Sequence, residues 1–462
     1  MSSGDSVLPN SFLARPQGTP RIETAHRRIV TPLPTPESVD RLADAARLFP
    51  QVNCYQPPVL WQRAEGYQVF DASGNAWIDF TSTAVTTNTG HGHPAIRRAL
   101  AEHVESGLMA QFNFASEIRI ALAEKLIDLA PQHCEKVYFW TVGSEAIEAA
   151  LRVSRQWGIR RHPDKYHVLT HSADFHGWTL GAHQLSGEGA GKPWLAHPDR
   201  AIHHLPFPRA SSDEPADWST VLDKNLEELS EQGVPGENVA AFVIETLQGW
   251  GALPLPVEYV QRLRQWADEH QVLLVFDEIQ TGFGRTGRLF GHEHYGVRAD
   301  LICTGKGLTS SLPLAAVLGP AEVLDVLPPA EVTTTHAAHP LSCAAALANL
   351  EVLEQENLIA EADRKGAVAT GELVRLQRRF PQYISETCGL GLLQAIHVSD
   401  PRTGRPSREL ARDWTWAAVK HGVMLFQVNQ PTLKICPPLM IPDEALIEGI
   451  ETLGEALQTL LD

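Results

Sequence analysis

The stretch LLVFDEIQTGFGRTG, residues 273–287, sets two acids, Asp277 and Glu278, directly behind an apolar run that reads as a buried strand. A carboxylate at the end of such a strand is costly unless a cation meets it, so the first question is which cation Asp277 faces. Downstream, Lys306 stands between two glycines in TGKGL, in apolar surroundings. An amine held there loses solvation, which favours its neutral, nucleophilic form and suits Schiff-base chemistry. The plain alternative is a surface-loop lysine. Only nine of the 38 basic side chains are lysines, however, so an individual lysine is less expected as surface filler. Upstream, TVGSEA joins the strand KVYFWT to a helix. Gly143 permits a close backbone approach, and the first-turn N–H groups with the Ser144 hydroxyl could hold a phosphate. Alone, the same pattern is satisfied by a serine N-cap. It is not a P-loop, since no GxxxxGK[ST] occurs.

Taken together, these residues match the needs of pyridoxal phosphate: a lysine for the aldehyde, an anion beside the pyridine nitrogen, and a phosphate cradle. Asp277 would keep the ring nitrogen protonated. Phe175-His176-Gly177 could offer a flat face to the ring and Ile279 the opposite face, although an aromatic before His-Gly is by itself more often core or turn. The rival is a carboxylate metal site built from Asp277, Glu278 and HEHYG (292–296). That string lacks the second histidine of HExxH because residue 296 is glycine, which ranks metal well below the cofactor. Glu278 has no derivable cofactor role and reads as a hydrogen-bonded structural acid.

Several elements must position these groups. KVYFWT, VAAFVIE, QVLLVFDE, LICTGKG and LAAVLG read as short apolar strands. Between or beside them lie amphipathic helices such as SEAIEAALRVSRQWG, with Ile147, Ala150, Val153 and Ser154 or Trp157 on one face, and VEYVQRLRQWADEH. This alternation predicts an α/β fold: a mainly parallel sheet between helices. Ligand sites in such sheets lie at the C-terminal strand ends, where Glu245, Asp277 and Lys306 fall. GYQVFDASGNAWIDFTS reads as a hairpin, and SVDRLADAARLF as a helix capped by Ser38. The predicted organisation is an extended or partly disordered arm at 1–40, an N-terminal piece of a small domain at 41–94, a large domain at 95–340, and a small α+β domain at 341–462.

Net charge is −17, from 38 basic and 55 acidic side chains, which disfavours nucleic acid or an anionic membrane as the main partner. Six scattered cysteines without a CxxC pair argue for reduced, mostly buried thiols. No signal-peptide layout and no uncharged apolar run of ~18 residues is present, so a cytoplasmic protein is expected.

The strings GHGHPAIRRAL, TVGSEAIEAALRVSRQWG, FHGWTLGA, FVIETLQGWG, VFDEIQTGFGRTGRLFGHEHYGVRADLICTGKGL and TTTHAAHPLSCAAALANLEVL occur in an order and spacing that resemble the class III aminotransferases of pyridoxal phosphate fold type I. The resemblance runs from about residue 55 to the C-terminus. It implies a large cofactor domain and a small domain made from both chain ends. It makes Lys306 the Schiff-base lysine and proton shuttle and pairs Asp277 with the pyridine nitrogen. Gln280 would reach the ring hydroxyl, Phe175 and Ile279 would sandwich the ring, and His176 belongs to the same FHG segment. Gly143 and Ser144 would hold the phosphate, and Glu245 would stand near the cofactor. Thr335 would reach the phosphate of a neighbouring subunit, implying a homodimer.

Four departures bear on substrate. Where enzymes for 4-aminobutyrate and ornithine usually carry an arginine after His-Gly, this chain has Trp178. A carboxylate-binding arginine of the C-terminal strand is replaced by Lys434 in LKICPPL, a switch glutamate after Gln-Gly by Trp250, and the isoleucine of the family's GIAV by Ala84 in Thr83-Ala84-Val85-Thr86. Lysine cannot reproduce arginine's bidentate fork, the tryptophans add flat apolar walls with N–H donors, and Ala84 leaves space. The expected reaction moves an amino group from a primary amine, amino sugar or apolar amino acid to an oxo acid, aldehyde or ketone, rather than using a short ω-amino acid. Alternatively, the tryptophans pack elsewhere and an arginine such as Arg63 holds a carboxylate. The rival activities are an amino acid racemase or epimerase on the same scaffold, then a phospho-lyase or aminomutase, and lastly a cofactor-binding module without catalysis.

Overall fold

The computed structural model describes residues 10–187, 192–209 and 217–462. The chain divides into two compact units. One holds the N-terminal residues to His93 with Trp250–Ala252 and Glu361–Asp462; the other holds Pro94–Gly249 and Leu253–Ala360.

The larger unit is built on seven strands: β1 (Lys136–Trp140), β2 (His167–His171), β3 (Ile202–Leu205), β4 (Val239–Glu245), β5 (Leu273–Asp277), β6 (Leu301–Thr304) and β7 (Ala315–Gly319). Their order across the sheet is β1-β7-β6-β5-β4-β2-β3. Only β7 runs antiparallel to its neighbours, so the other six point the same way. All seven residues of β4 and all five of β5 are buried, as expected of strands covered on both faces. The histidine-rich strands HVLTH and IHHL lack that apolar run and escaped the sequence reading.

Helix α1 (Gly143–Ile159) packs on the sheet through Ala146, Ile147, Ala150 and Val153, with both Ser154 and Trp157 buried. This face joins Val243, Val275, Cys303 and Val317 in one core cluster. Helices α2 (Val257–Glu269) and α3 (Pro340–Gln355) also belong to this unit. Ala345 and Ala348 of α3 pack with Ile96 of the helix Pro94–Glu105. The division between units therefore falls at residue 360 rather than 340.

In the smaller unit, the N-terminal arm from residue 10 onward carries short strands and helical turns, and the part of the expected arm before it, residues 1–9, lies outside the described residues. Ile22–Glu23 and Arg28–Ile29 pair with each other, and Arg28–Ile29 joins the 76–79 strand of the predicted hairpin. The buried Arg27 guanidinium ties the arm down, bonding Glu448 at 2.8 Å, the His421 carbonyl at 2.7 Å and Glu455 at 3.2 Å. The helix Val39–Leu48 forms, but Ser38 does not cap it; its hydroxyl turns back to the Thr35 carbonyl at 2.9 Å. Strands Ile384–Leu390, Leu393–Val398 and Thr432–Ile435 form a three-stranded antiparallel sheet, and Asp443–Leu461 is the last helix. All six cysteines are free thiols. Among the described residues, no helix is long and apolar enough to cross a membrane.

Candidate active site

The parallel register sets the acids side by side: Asp277 is paired with Glu245 of β4 and with Cys303 of β6. Three residues after Cys303, β6 gives way to a tight turn, Lys306–Leu308, that starts on the lysine. The sheet thus delivers Glu245, Asp277 and Lys306 to one edge, as the spacing predicted.

Asp277 is met inside the protein by a histidine. His176 Nδ1 lies 2.8 Å from Asp277 Oδ2, and the other carboxylate oxygen accepts the Ile279 N–H at 3.0 Å. Burial opposes a charge on His176, but its hydrogen bond to Asp277 and the carboxylates of Asp277, Asp174 and Glu245 outweigh that and raise its pKa. This corrects one expectation: the His176 side chain is fully buried, so it stands behind Asp277 and offers no flat face to a ligand. Its Nε2 meets Thr170 Oγ1 at 3.2 Å, and its backbone N–H donates to Ser186 Oγ at 2.9 Å.

Glu245 acts on the backbone of the same segment. Its Oε2 accepts the N–H groups of Phe175 at 2.8 Å and Gly249 at 3.2 Å. Its own N–H donates to Asp174 Oδ2 at 3.1 Å. Burial and the Asp174 carboxylate push the Glu245 pKa up to about 8, against the opposing pull of His176. Asp174 also faces His171 Nδ1 at 3.3 Å, whose Nε2 reaches the Tyr259 hydroxyl at 3.0 Å. Asp174, His171 and Tyr259 were missed from sequence. Only the adjacency of Asp174 to FHG could have flagged it.

Glu278 points the other way. Its side chain is fully buried and takes the N–H of His292 at 2.7 Å, His292 Nδ1 at 3.1 Å, the N–H of Gly291 at 2.9 Å and the Thr281 hydroxyl. Burial alone would raise its pKa, yet these bonds and the His292 charge bring it below the ordinary value. The histidine of HEHYG that could have been a metal ligand is thus spent on Glu278, and His294 bonds Thr286 at 3.1 Å. Glu278 is a structural acid.

Gly143, Ile279 and Gly305 meet at one point. A Cβ on Gly143 would stand 2.9 Å from Ile279 Cδ1, and one on Gly305 would stand 3.3 Å from Ile279 Cγ2. Helix α1 starts behind Val142, which offers no side-chain cap. Ser144 is not the N-cap; its hydroxyl lies inside the first turn, 3.4 Å from the Trp178 N–H. Gly177, at φ +136°, leaves no room for a Cβ, which would fall 2.1 Å from Ser144 Oγ. An uncapped start to a 17-residue helix, flanked by glycines and partly exposed, is a ready anion site. A Cβ on Gly249 would meet Gln280 Nε2 at 2.6 Å and Glu245 Oε1 at 2.5 Å, so both side chains crowd this glycine. Phe175, Ile279, Gln280 and Lys306 are all partly exposed, whereas Asp277 is buried. These residues fit pyridoxal phosphate: a carboxyl group, an amine, an apolar pair and an anion cradle.

Trp178 is 63% exposed, with its ring centre 5.2 Å from that of Phe175 and 5.0 Å from that of His183, edge to face in both cases, and His183 stacks on Trp194 with ring centres 5.5 Å apart. Thr335 is exposed and borders a cavity of about 510 Å³ with Leu108, Phe112, Phe114 and His336.

Ala84, Trp250 and Lys434 belong to the smaller unit. Ala84 is exposed within four consecutive left-handed residues, Ser82 to Val85, with φ of 44°, 52°, 61° and 66°. Such backbone costs roughly 1–2 kcal/mol per L-residue. Anchors hold it: Ser82 Oγ donates to the Cys436 carbonyl at 2.6 Å, and the Thr83 N–H donates to Thr81 Oγ1 at 2.9 Å. Thr81 in turn bonds Asp79, which pairs with His91 at 2.7 Å. The Trp250 carbonyl accepts from Thr432 Oγ1 at 3.2 Å. Lys434 is buried, with Nζ 5.8 Å from the Phe426 ring centre.

Known proteins carry this arrangement further. The family model for class III aminotransferases matches residues 51–457. A probable 4-aminobutyrate aminotransferase of Bacillus subtilis is 33% identical over 86% of this chain and 92% of its own length. A leucine/methionine racemase of Thermococcus litoralis is 30% identical, covering 89% and 94%. An amine transaminase from an uncultivated Pseudomonas species, solved with pyridoxal phosphate bound, superposes with a TM-score of 0.80 at 27% identity, covering 87% of this chain and 94% of that one. With the acid, the lysine turn and the anion cradle in place, the chain belongs to the class III aminotransferases, enzymes that use pyridoxal phosphate.

Proposed function

We propose that this aminotransferase moves an amino group from a primary amine, amino sugar or apolar amino acid to an oxo acid, aldehyde or ketone. Pyridoxal phosphate, when bound, supplies an aldehyde for the donor amine and a ring that accepts electrons from the donor carbon. The rest is the work of the chain. Gly143 and Ser144 hold the phosphate at the α1 start, Phe175 and Ile279 take the two ring faces, and Gln280 reaches the ring hydroxyl. Asp277, backed by His176 at 2.8 Å, keeps a negative charge beside the ring nitrogen. Glu245 holds Phe175 through its N–H. Lys306 Nζ would take the proton from the donor carbon and deliver it to the cofactor's aldehyde carbon, and in the second half-reaction it would carry a proton from that carbon to the carbonyl carbon of the acceptor. The observation that carries this reading is the Asp277–His176 pair set one strand away from the Lys306 turn.

Trp178 supports the substrate class, because its exposed indole stands against Phe175 where a carboxylate-binding arginine would otherwise be expected. Arg63 does not replace that arginine readily. Its guanidinium lies 3.5 Å from the Phe70 ring centre and 3.1 Å from Glu65. Ala84, Trp250 and Lys434 keep the substrate role that the family resemblance implies. We further infer a cytoplasmic homodimer in which a second copy covers the exposed Leu108, Met109, Phe112 and Phe114 and Thr335 reaches the neighbouring phosphate. A contiguous apolar strip of this kind suits a partner surface.

The test is a donor screen that follows the cofactor's absorbance change in the half-reaction. Fast turnover of 4-aminobutyrate or ornithine, with no response to apolar amines, would overturn the substrate class. The racemase relative makes the second reading specific. Solvent deuterium entering an amino acid donor with loss of chirality, and with no oxo acid present, would identify a racemase instead.

A further inference from the structure

Lys306 occupies a backbone position that its sequence does not favour. Its φ is +38°, in the left-handed region that costs an L-residue energy and persists only where the surroundings hold it. The turn Lys306–Leu308 is too short to hold itself. Its anchor comes from α3. Asn349 is completely buried, in a helix whose neighbouring buried residues are mostly alanine, leucine and valine. Its Nδ2 donates to the carbonyls of both residues that follow the lysine, Gly307 at 2.9 Å and Leu308 at 3.0 Å. From the other side, Gly305 lies in close contact with Ile279. An amide in an apolar helix interior is retained only if its donors are satisfied, and here they are satisfied by the turn that carries the amine.

We propose that Asn349 is a positioning residue for Lys306, fixing the turn so that Nζ meets the donor carbon at the angle proton transfer requires. The proposal rests on the role of Lys306 given above. Proton transfer is sensitive to sub-ångström placement, whereas donor binding depends on other side chains. Loss of the clamp therefore acts on the rate of the half-reaction and leaves donor KM alone.

The experiment compares the wild-type holoenzyme with Asn349→Leu, which removes both donors, and Asn349→Asp, which keeps the shape and sets a carboxylate against two carbonyls. A single-turnover half-reaction is measured with an active amine and with the same amine deuterated at the reacting carbon. Either folded variant is expected to lose tenfold or more in rate, with KM within twofold and a larger isotope effect than wild type. In parallel, the cofactor-free proteins are melted and labelled with trinitrobenzenesulfonate, and Lys306 modification is scored by mass spectrometry against the other lysines. Labelling of Lys306 is expected to change at least threefold while the melting point stays within a few degrees. A half-reaction rate within twofold of wild type, or a rate loss matched by equal loss of cofactor-free stability with unchanged labelling, overturns the proposal. If wild type deaminates no amine, the functional reading fails, and the labelling arm still decides whether Asn349 sets the state of Lys306.

Discussion

Replacing Glu278 with glutamine would change one atom next to Asp277 and should unsettle the fold more than the chemistry. The carboxylate is fully buried and receives four hydrogen bonds, two on each oxygen. A glutamine keeps one accepting oxygen, so two donors remain satisfied and two face an NH2 group. Hydrogen bonds to a charged group are worth about 1.5–3 kcal/mol each, so losing two costs roughly 3–6 kcal/mol. Rotation of His292 to accept from the new amide recovers part of this, which sets the expectation at about 3 kcal/mol, a large part of a domain's ~5–15 kcal/mol. Urea unfolding of the cofactor-free protein, followed by tryptophan fluorescence, measures it. The pH dependence has a definite sign. The folded pKa of Glu278 is depressed, so its contribution is present above the unfolded value of ~4.3 and disappears as pH falls through the folded value. Glu278→Gln should therefore converge on wild type in acid. A variant within about 0.5 kcal/mol of wild type at neutral pH, the range of ordinary surface changes, would refute the argument that these bonds hold the 278–292 loop.

Four further outcomes follow from the same geometry. Lys306→Ala should abolish turnover and the lysine–cofactor absorbance band. Asp277→Asn should still bind cofactor but slow the half-reaction by several kcal/mol of barrier, the scale of lost preorganised charge; a rate within tenfold of wild type would contradict it. For Glu245, whose pKa is pushed up to about 8, the folded state holds a proton that the unfolded state has released above ~4.3. Its contribution is lost as pH rises toward 8, so Glu245→Gln should flatten the fall in melting temperature between pH 5 and 8, and an unchanged slope would count against it. Trp178→Arg should lower kcat/KM for apolar amines at least tenfold while improving donors that carry a distal carboxylate; equal effects on both would remove Trp178 from donor selection.

How much of the site was legible in the sequence depended on whether a residue's chemistry showed locally. Asp277 was readable because a carboxylate directly behind five apolar residues demands a partner, whereas Lys306 in TGKGL alone reads as a surface-loop lysine and stood out only beside that acid and the Gly143–Ser144 turn. The residue type of that partner was not readable. His176 lies 101 positions away, and only the β2–β4–β5 packing brings its imidazole against Asp277. The same limit hid Asp174 and Asn349, an acid and an amide whose sequence contexts are unremarkable and whose partners are backbone groups.

Apolar runs and helical periodicity by themselves determined that this is an α/β protein with a mainly parallel sheet, while the expectation of a lysine and an aspartate suited to pyridoxal phosphate came from strand-end residue chemistry and the resemblance to class III aminotransferases. Those properties follow from local patterns: apolar runs, helical faces and turn glycines. Tertiary structure alone decided that Glu278 is structural, that His176 stands behind the acid rather than beside the ring, that four left-handed residues carry Ala84, and that Asn349 grips the lysine turn. Each depends on which hydrogen-bond donors and acceptors the folded chain brings within about 3 Å of one another, and one-dimensional spacing does not encode that.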